Sequence, residues 1–308
     1  MTKQWMRGST VAGLVGLAIS MCVHPVQASE IVRTPDVDLA YDRVGATTGA
    51  VPLVVVNGGP GLTHAYMLQN DVWARLSRTR TVVFYDQRGV GGSVLRRADA
   101  PQTLEAQVAD LDAVRRALGA ERVDVLGDSF GGLIVLAYSL AHPEHVRRLV
   151  VSDGLASVNG MAHPLPDVFP DLDEATDAQA KSLNPQAAAE LQLRTHMREC
   201  FYDPDLASRY LAGFHGLTIS PQVSDRMSDA VEKVDLGPEL HRITAPTLIL
   251  TGRFDLNVAF VTAWKMFKAI PGARFHVFER SGHLPSYEEP DAYVQTVEAF
   301  LAPMPPGR

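Results

Sequence analysis

Apolar residues along this chain come in short unbroken runs rather than in strict alternation with polar ones. Pro52–Val56 and Thr81–Tyr85 are the first two, and Arg122–Leu126, Arg147–Val151, Pro246–Leu250 and Arg274–Phe278 repeat the pattern. Strands that read this way are covered on both faces, so the centre of the sheet is expected to be parallel. Two shorter strands, Ile31–Thr34 and Val37–Asp42, precede them. Elsewhere the period lengthens to that of a helix. Leu104, Val108, Leu111 and Val114 share one face of Leu104–Leu118, and Gly119 closes it. Phe130–Ala141, Val258–Ala269 and Ala292–Leu301 also read as helices.

This strand–helix alternation stops near Gly154 and resumes after Gly237. The intervening stretch is polar, contains prolines, lacks β-branched runs and reads as several short helices. The expected architecture is α/β: a mostly parallel central sheet with a helical cap inserted after the sixth strand. The corresponding boundaries are 29–153 for the first part of the core, 154–237 for the cap and 238–308 for the second part.

Residues 1–28 stand apart. Lys3 and Arg7 precede an apolar run from Val11 to Val23, followed by Val26, Gln27 and Ala28. A basic start, a short apolar stretch and small residues at −3 and −1 predict a secretory signal peptide cleaved after Ala28, and hence a periplasmic or secreted protein. Cys22 follows Met21 rather than a small residue, which disfavours lipid attachment. No later apolar run reaches the length of a bilayer span, so no stable membrane association is expected.

Loss of Lys3 and Arg7 with the leader takes the formal net charge from −7 to −9. That balance excludes nucleic acid as a natural partner, since binding phosphates requires clustered cations. Cys200 is then the single thiol, so core packing rather than a disulfide must stabilise the exported chain.

Candidate chemistry lies at the ends of the strands. Gly127-Asp128-Ser129-Phe130-Gly131 falls between a strand and a helix, where GxSxG forms a sharp turn that presents the serine. A serine hydroxyl needs an adjacent base, itself oriented by an acid. His283, in Ser281-Gly282-His283, is the candidate base, and Asp255, in Gly252-Arg253-Phe254-Asp255, the candidate acid. Asp153, just past Arg147–Val151, is the rival acid. Asn57-Gly58-Gly59-Pro60-Gly61 follows another strand and can aim a backbone N–H at a developing oxyanion. Gly59 and Phe130 are the expected donors, with Asn57 and Gly58 bordering the substrate.

Asp86 and Arg88 are expected to form a structural turn and ion pair. Gly89-Val90-Gly91-Gly92 is an incomplete dinucleotide fingerprint. His142 and His145 lack metal-ligand spacing. No metal and no cofactor are indicated.

NGGPG at 57–61, DQRGVGGS at 86–93, GDSFGG at 127–132, GRFD at 252–255 and SGH at 281–283 together resemble the proline iminopeptidase family of serine hydrolases, within the α/β-hydrolase superfamily. The resemblance covers residues 30 to 302. It implies Ser129 as nucleophile, Asp255 and His283 as its partners, and release of an N-terminal residue, often proline, from small peptides. The sequence departs from the family at Asn57, where His is usual, at Phe130, where Trp is common, and in lacking a recognisable Trp-rich, Glu-containing cap helix.

Gly154–Gly237 carries 13 acids and 6 bases. An aminopeptidase must accept a protonated amine, and Glu199 is the nominated carboxylate. The alternatives are an esterase, lactonase or amidase with the same triad acting on a small acyl substrate, and a non-catalytic small-molecule receptor.

Overall fold

The structure is a computed structural model, and it describes residues 29–45, 49–213 and 219–302. The expected signal peptide lies outside the described residues. Among the described residues nine strands form one sheet: β1 (Glu30–Arg33), β2 (Val37–Val44), β3 (Leu53–Val56), β4 (Val82–Tyr85), β5 (Val94–Leu95), β6 (Val123–Asp128), β7 (Val146–Ser152), β8 (Thr247–Gly252) and β9 (Arg274–Phe278). The order is β1-β2-β4-β3-β6-β7-β8-β9, with β5 added to β2. Every pairing from β4 to β9 is parallel, and those of β2 with β1, β4 and β5 are antiparallel.

The helices are α1 (Val72–Leu76), α2 (Leu104–Ala117), α3 (Phe130–Ala141), α4 (Leu165–Val168), α5 (Leu172–Ala180), α6 (Pro185–Glu199), α7 (Pro204–Ala212), α8 (Pro221–Val231), α9 (Phe260–Ala269), α10 (Pro285–Glu288) and α11 (Pro290–Leu301). Successive strand side chains point to opposite faces, so each buried strand feeds two cores. Val54, Val56, Val83 and Tyr85 pack with α2, α3 and α9, whereas Leu53, Val55, Val82 and Phe84 pack with α1 and α11. This double coverage is the reason the strands read as unbroken apolar runs.

Helices α4–α8 fill the interval between β7 and β8. Three of them start on a cap–proline pair. Asn184, Asp203 and Ser220 each accept a hydrogen bond from a first-turn N–H, and Pro185, Pro204 and Pro221 sit at the position where the missing amide costs nothing. The inserted helices follow the seventh strand, not the sixth. The difference is β5, whose two residues are too short to produce an apolar run. None of the helices among the described residues is long and apolar enough to cross a membrane.

Candidate active site

Loops at the carboxyl edge of the parallel strands converge on one site. Ser129 follows β6, and its backbone takes φ +53°, a left-handed conformation that costs energy for a side-chain-bearing residue. The turn closes only because its neighbours are glycines. A Cβ on Gly131 would lie 2.1 Å from Val56 O, and one on Gly127 would lie 2.3 Å from Gly131 O. Phe130 is the first residue of α3, so its N–H has no intrahelical acceptor and is available to a ligand.

Asp255, after β8, and His283, after β9, meet directly: His283 Nδ1 lies 2.8 Å from Asp255 Oδ2. Both residues are buried. The other Asp255 oxygen accepts the N–H groups of Asn257 (2.8 Å) and Val258 (2.9 Å), which fix the carboxylate. Burial works against a charged His283, but the Asp255 charge and hydrogen bond, with Asp153 and Asp128 behind them, outweigh it and raise the imidazole to about 9. Asp153 takes a different part. It accepts Gly252 N–H at 2.8 Å and Ser152 Oγ–H at 2.9 Å, and burial followed by the Asp255 charge raises its carboxyl well above the usual range.

Ser129 and His283 line one cavity of about 180 Å³, together with Gly58, Gly59, Tyr66, Asp128 and Asn257. A second cavity, also about 180 Å³, opens on the other side of Ser129 against Phe130, Leu155, Val158, Met161 and Val258. Gly59 and Ser129 belong to both. His283 Nε2, the ring nitrogen left free by Asp255, lies 3.1 Å from Asn257 Nδ2.

Several expectations about individual residues need correction. Asn57 lines neither cavity. It is fully buried, and its Nδ2 donates to Gly58 O (2.8 Å) and Leu62 O (2.9 Å), bracing the glycine loop from within. Gly58 does line the first cavity, but its N–H donates to Tyr66 Oη at 2.6 Å. Glu199 lies on neither cavity and sits beside Arg198 at 3.8 Å.

Asp86 and Arg88 do not pair with each other. Arg88 forms a two-pronged bond to Asp110, with both distances 2.7 Å, while Asp86 binds His64 Nδ1 at 2.8 Å and Gly92 N–H at 2.9 Å. His142, Glu144 and His145 do bring donor atoms within 4.8 Å of one another, because Pro143 opens a tight turn that folds the two histidines together. None of the three lines either cavity at Ser129.

Other contributors carry no motif of their own. Tyr66 donates to Asp128 Oδ2 at 2.5 Å. Glu288 joins the His283 loop to the inserted helices, its Oε2 accepting Gly282 N–H (2.7 Å) and its Oε1 accepting Tyr202 N–H (2.8 Å) and Asp203 N–H (3.3 Å). His283 N–H itself donates to Cys200 O at 2.7 Å. Only proximity in the fold reveals these partners, since Glu288 and Tyr202 stand 86 residues apart in sequence.

Residues 51–290 match the family described as the alpha/beta hydrolase fold. The chain belongs to that family. Within this α/β-hydrolase group it is similar to a proline iminopeptidase of Saccharolobus solfataricus, 28% identical over 81% of this chain and 84% of that one. It is also similar to a Lactobacillus delbrueckii proline iminopeptidase, 30% identical over 84% and 92%. A 2-hydroxy-6-oxo-2,4-heptadienoate hydrolase of Pseudomonas putida is 32% identical over 82% and 89%. Among solved structures, an alpha/beta fold family hydrolase from Bacillus anthracis superposes with a TM-score of 0.73 at 21% identity, covering 89% of this chain and 99% of that one. The protein is a hydrolase of the α/β superfamily.

Proposed function

We propose that the protein is an exported serine hydrolase that releases proline or another small residue from the amino terminus of peptides. The observation that carries this reading is the imidazole of His283, held through Nδ1 by Asp255 and lining the same small cavity as the strained Ser129. Ser129 Oγ attacks the scissile carbonyl as His283 Nε2 takes its proton. Asp255 stabilises the imidazolium, and the N–H groups of Gly59 and Phe130 receive the oxyanion. His283 then protonates the leaving amine and activates water to free the acyl group.

Each cavity at Ser129 has about 180 Å³, room for one small residue, and the first adjoins a larger outer one of about 500 Å³. A dienoate substrate, as named for the Pseudomonas putida relative, carries a carboxylate. Among the described residues no Lys or Arg lines either cavity to receive one, which favours the peptidase reading.

The protein without residues 1–28 should turn over free-amine aminoacyl anilides faster than N-blocked anilides and short-chain nitrophenyl esters. Equal or better turnover of the esters and blocked anilides would replace the peptidase by an esterase or amidase, and binding without turnover would make it a receptor. The raised His283 adds a pH dependence. Only the neutral imidazole can accept a proton, so on an N-blocked anilide or ester, which has no titrating amine, kcat/KM should climb as pH rises from 7 towards about 9. A profile already flat at pH 7 would show that the imidazole is not held in its charged form.

A further inference from the structure

A free amino terminus places its nitrogen two bonds from the scissile carbon, about 2.5 Å away. Its counter-charge must therefore lie within one side chain of the nucleophile. Glu199 is outside the cavity, and Asp177 and Asp225 line an adjoining outer one. Asp128 is the one carboxylate among the residues lining the cavity with Ser129.

Asp128 is 3% exposed. Its Oδ2 accepts the Tyr66 hydroxyl, and that hydroxyl in turn accepts Gly58 N–H, so the phenolic proton is committed to the carboxylate. Among the described residues no donor reaches Oδ1, and no Lys or Arg pairs with the group. Burial raises this carboxyl to about 6, against the pull of the His283 charge and the Tyr66 hydrogen bond. At neutral pH it still holds a negative charge beside the reacting serine. A cation arriving there meets a carboxylate with which, among the described residues, no Lys or Arg already pairs.

We propose that Asp128 is the binding site for the α-ammonium group of the substrate, so that the turn presenting the nucleophile also selects a free amine. This rests on the aminopeptidase reading above. Tyr66 and Gly58 hold the carboxylate in place as positioning residues, and the charge on Oδ1 meets the substrate. A bound ammonium also lies close to His283 and disfavours its protonated form, which moves the base towards its working state.

The test compares matched pairs of substrates: prolyl against cyclopentanecarbonyl 4-nitroanilide, and alanyl against propionyl 4-nitroanilide. The wild type should prefer the amine-bearing member by about 100-fold in kcat/KM, as expected for a buried charge pair. In Asp128→Asn, whose amide oxygen can still accept from Tyr66, the ratio should fall to near one, mainly through KM. Asp128→Ser should do the same and serves if the asparagine variant melts early. A wild type that prefers the amine, with both variants keeping that preference, would overturn the assignment of Asp128 and leave the aminopeptidase reading intact. A wild type without preference would sink both. A fall of both members of each pair by the same factor would reduce Asp128 to a support of the turn.

Discussion

Replacing Ser129 by alanine should lower kcat by about 10⁴- to 10⁶-fold while leaving the fold and the melting temperature close to those of the wild type. In the proposed mechanism the hydroxyl forms the bond to the acyl group, and the cavity it lines also holds His283, whose Nδ1 lies 2.8 Å from Asp255. His283→Ala should cost a similar factor. The double variant should be little worse than either single one, because nucleophile and base act as one unit and removing either leaves only binding and the oxyanion donors. Steady-state kinetics on the best anilide of the panel would check this. Losses that multiply would mean that the two residues act in separate steps, and turnover by Ser129→Ala within tenfold of wild type would remove the serine from the chemistry.

The second large effect falls on stability. Gly252 ends β8, and a Cβ there would lie 1.9 Å from Gly282 O and 2.5 Å from Ser281 O, pressing on the loop that carries His283. Backbone cannot yield as a flexible side chain can. Gly252→Ala should therefore destabilise by more than about 3 kcal/mol, a fall in melting temperature of roughly 10 °C. Gly119→Ala is the control. Its φ of +64° carries a conformational cost, but nothing lies within 4 Å of its Cβ. About 1 kcal/mol is expected for that strain alone. Thermal melts of the two variants side by side would check the contrast, and equal shifts would show that crowding at Gly252 is relieved.

Features encoded locally are legible in the amino-acid sequence. Buried strands show as apolar runs because helices cover both faces, and the serine turn shows because glycines at 127 and 131 are demanded within five residues. Partners fixed by distant packing are not legible in the same way. Asp86 and Arg88 are close enough in sequence to suggest an ion pair, yet each finds its partner 22 residues away, at His64 and Asp110. Asn57 reads as a residue facing the substrate, because nothing in the sequence shows that Leu62 O turns back to receive its amide. Glu199 misleads for a related reason: helix α6 ends there, and helical spacing alone does not say which flank of the final turn meets the cavity. Asp128 reads as a spacer within the serine motif, since its importance depends on Tyr66 arriving from a separate turn.

The hydrogen bond from His283 to the Cys200 carbonyl, with Glu288 clasping the residues that follow, has a consequence for the base. Displacing these inserted residues would break the bond to His283 N–H and so disturb the placement of the imidazole. The inserted helices also border an outer cavity that adjoins the first. This antechamber of about 500 Å³, bordered by Thr176, Gln192, Pro221 and Asp225, shares Leu193, His196, Ile219 and Ser224 with the inner chamber. The inserted helices thus both tether the loop of His283 and border the outer chamber.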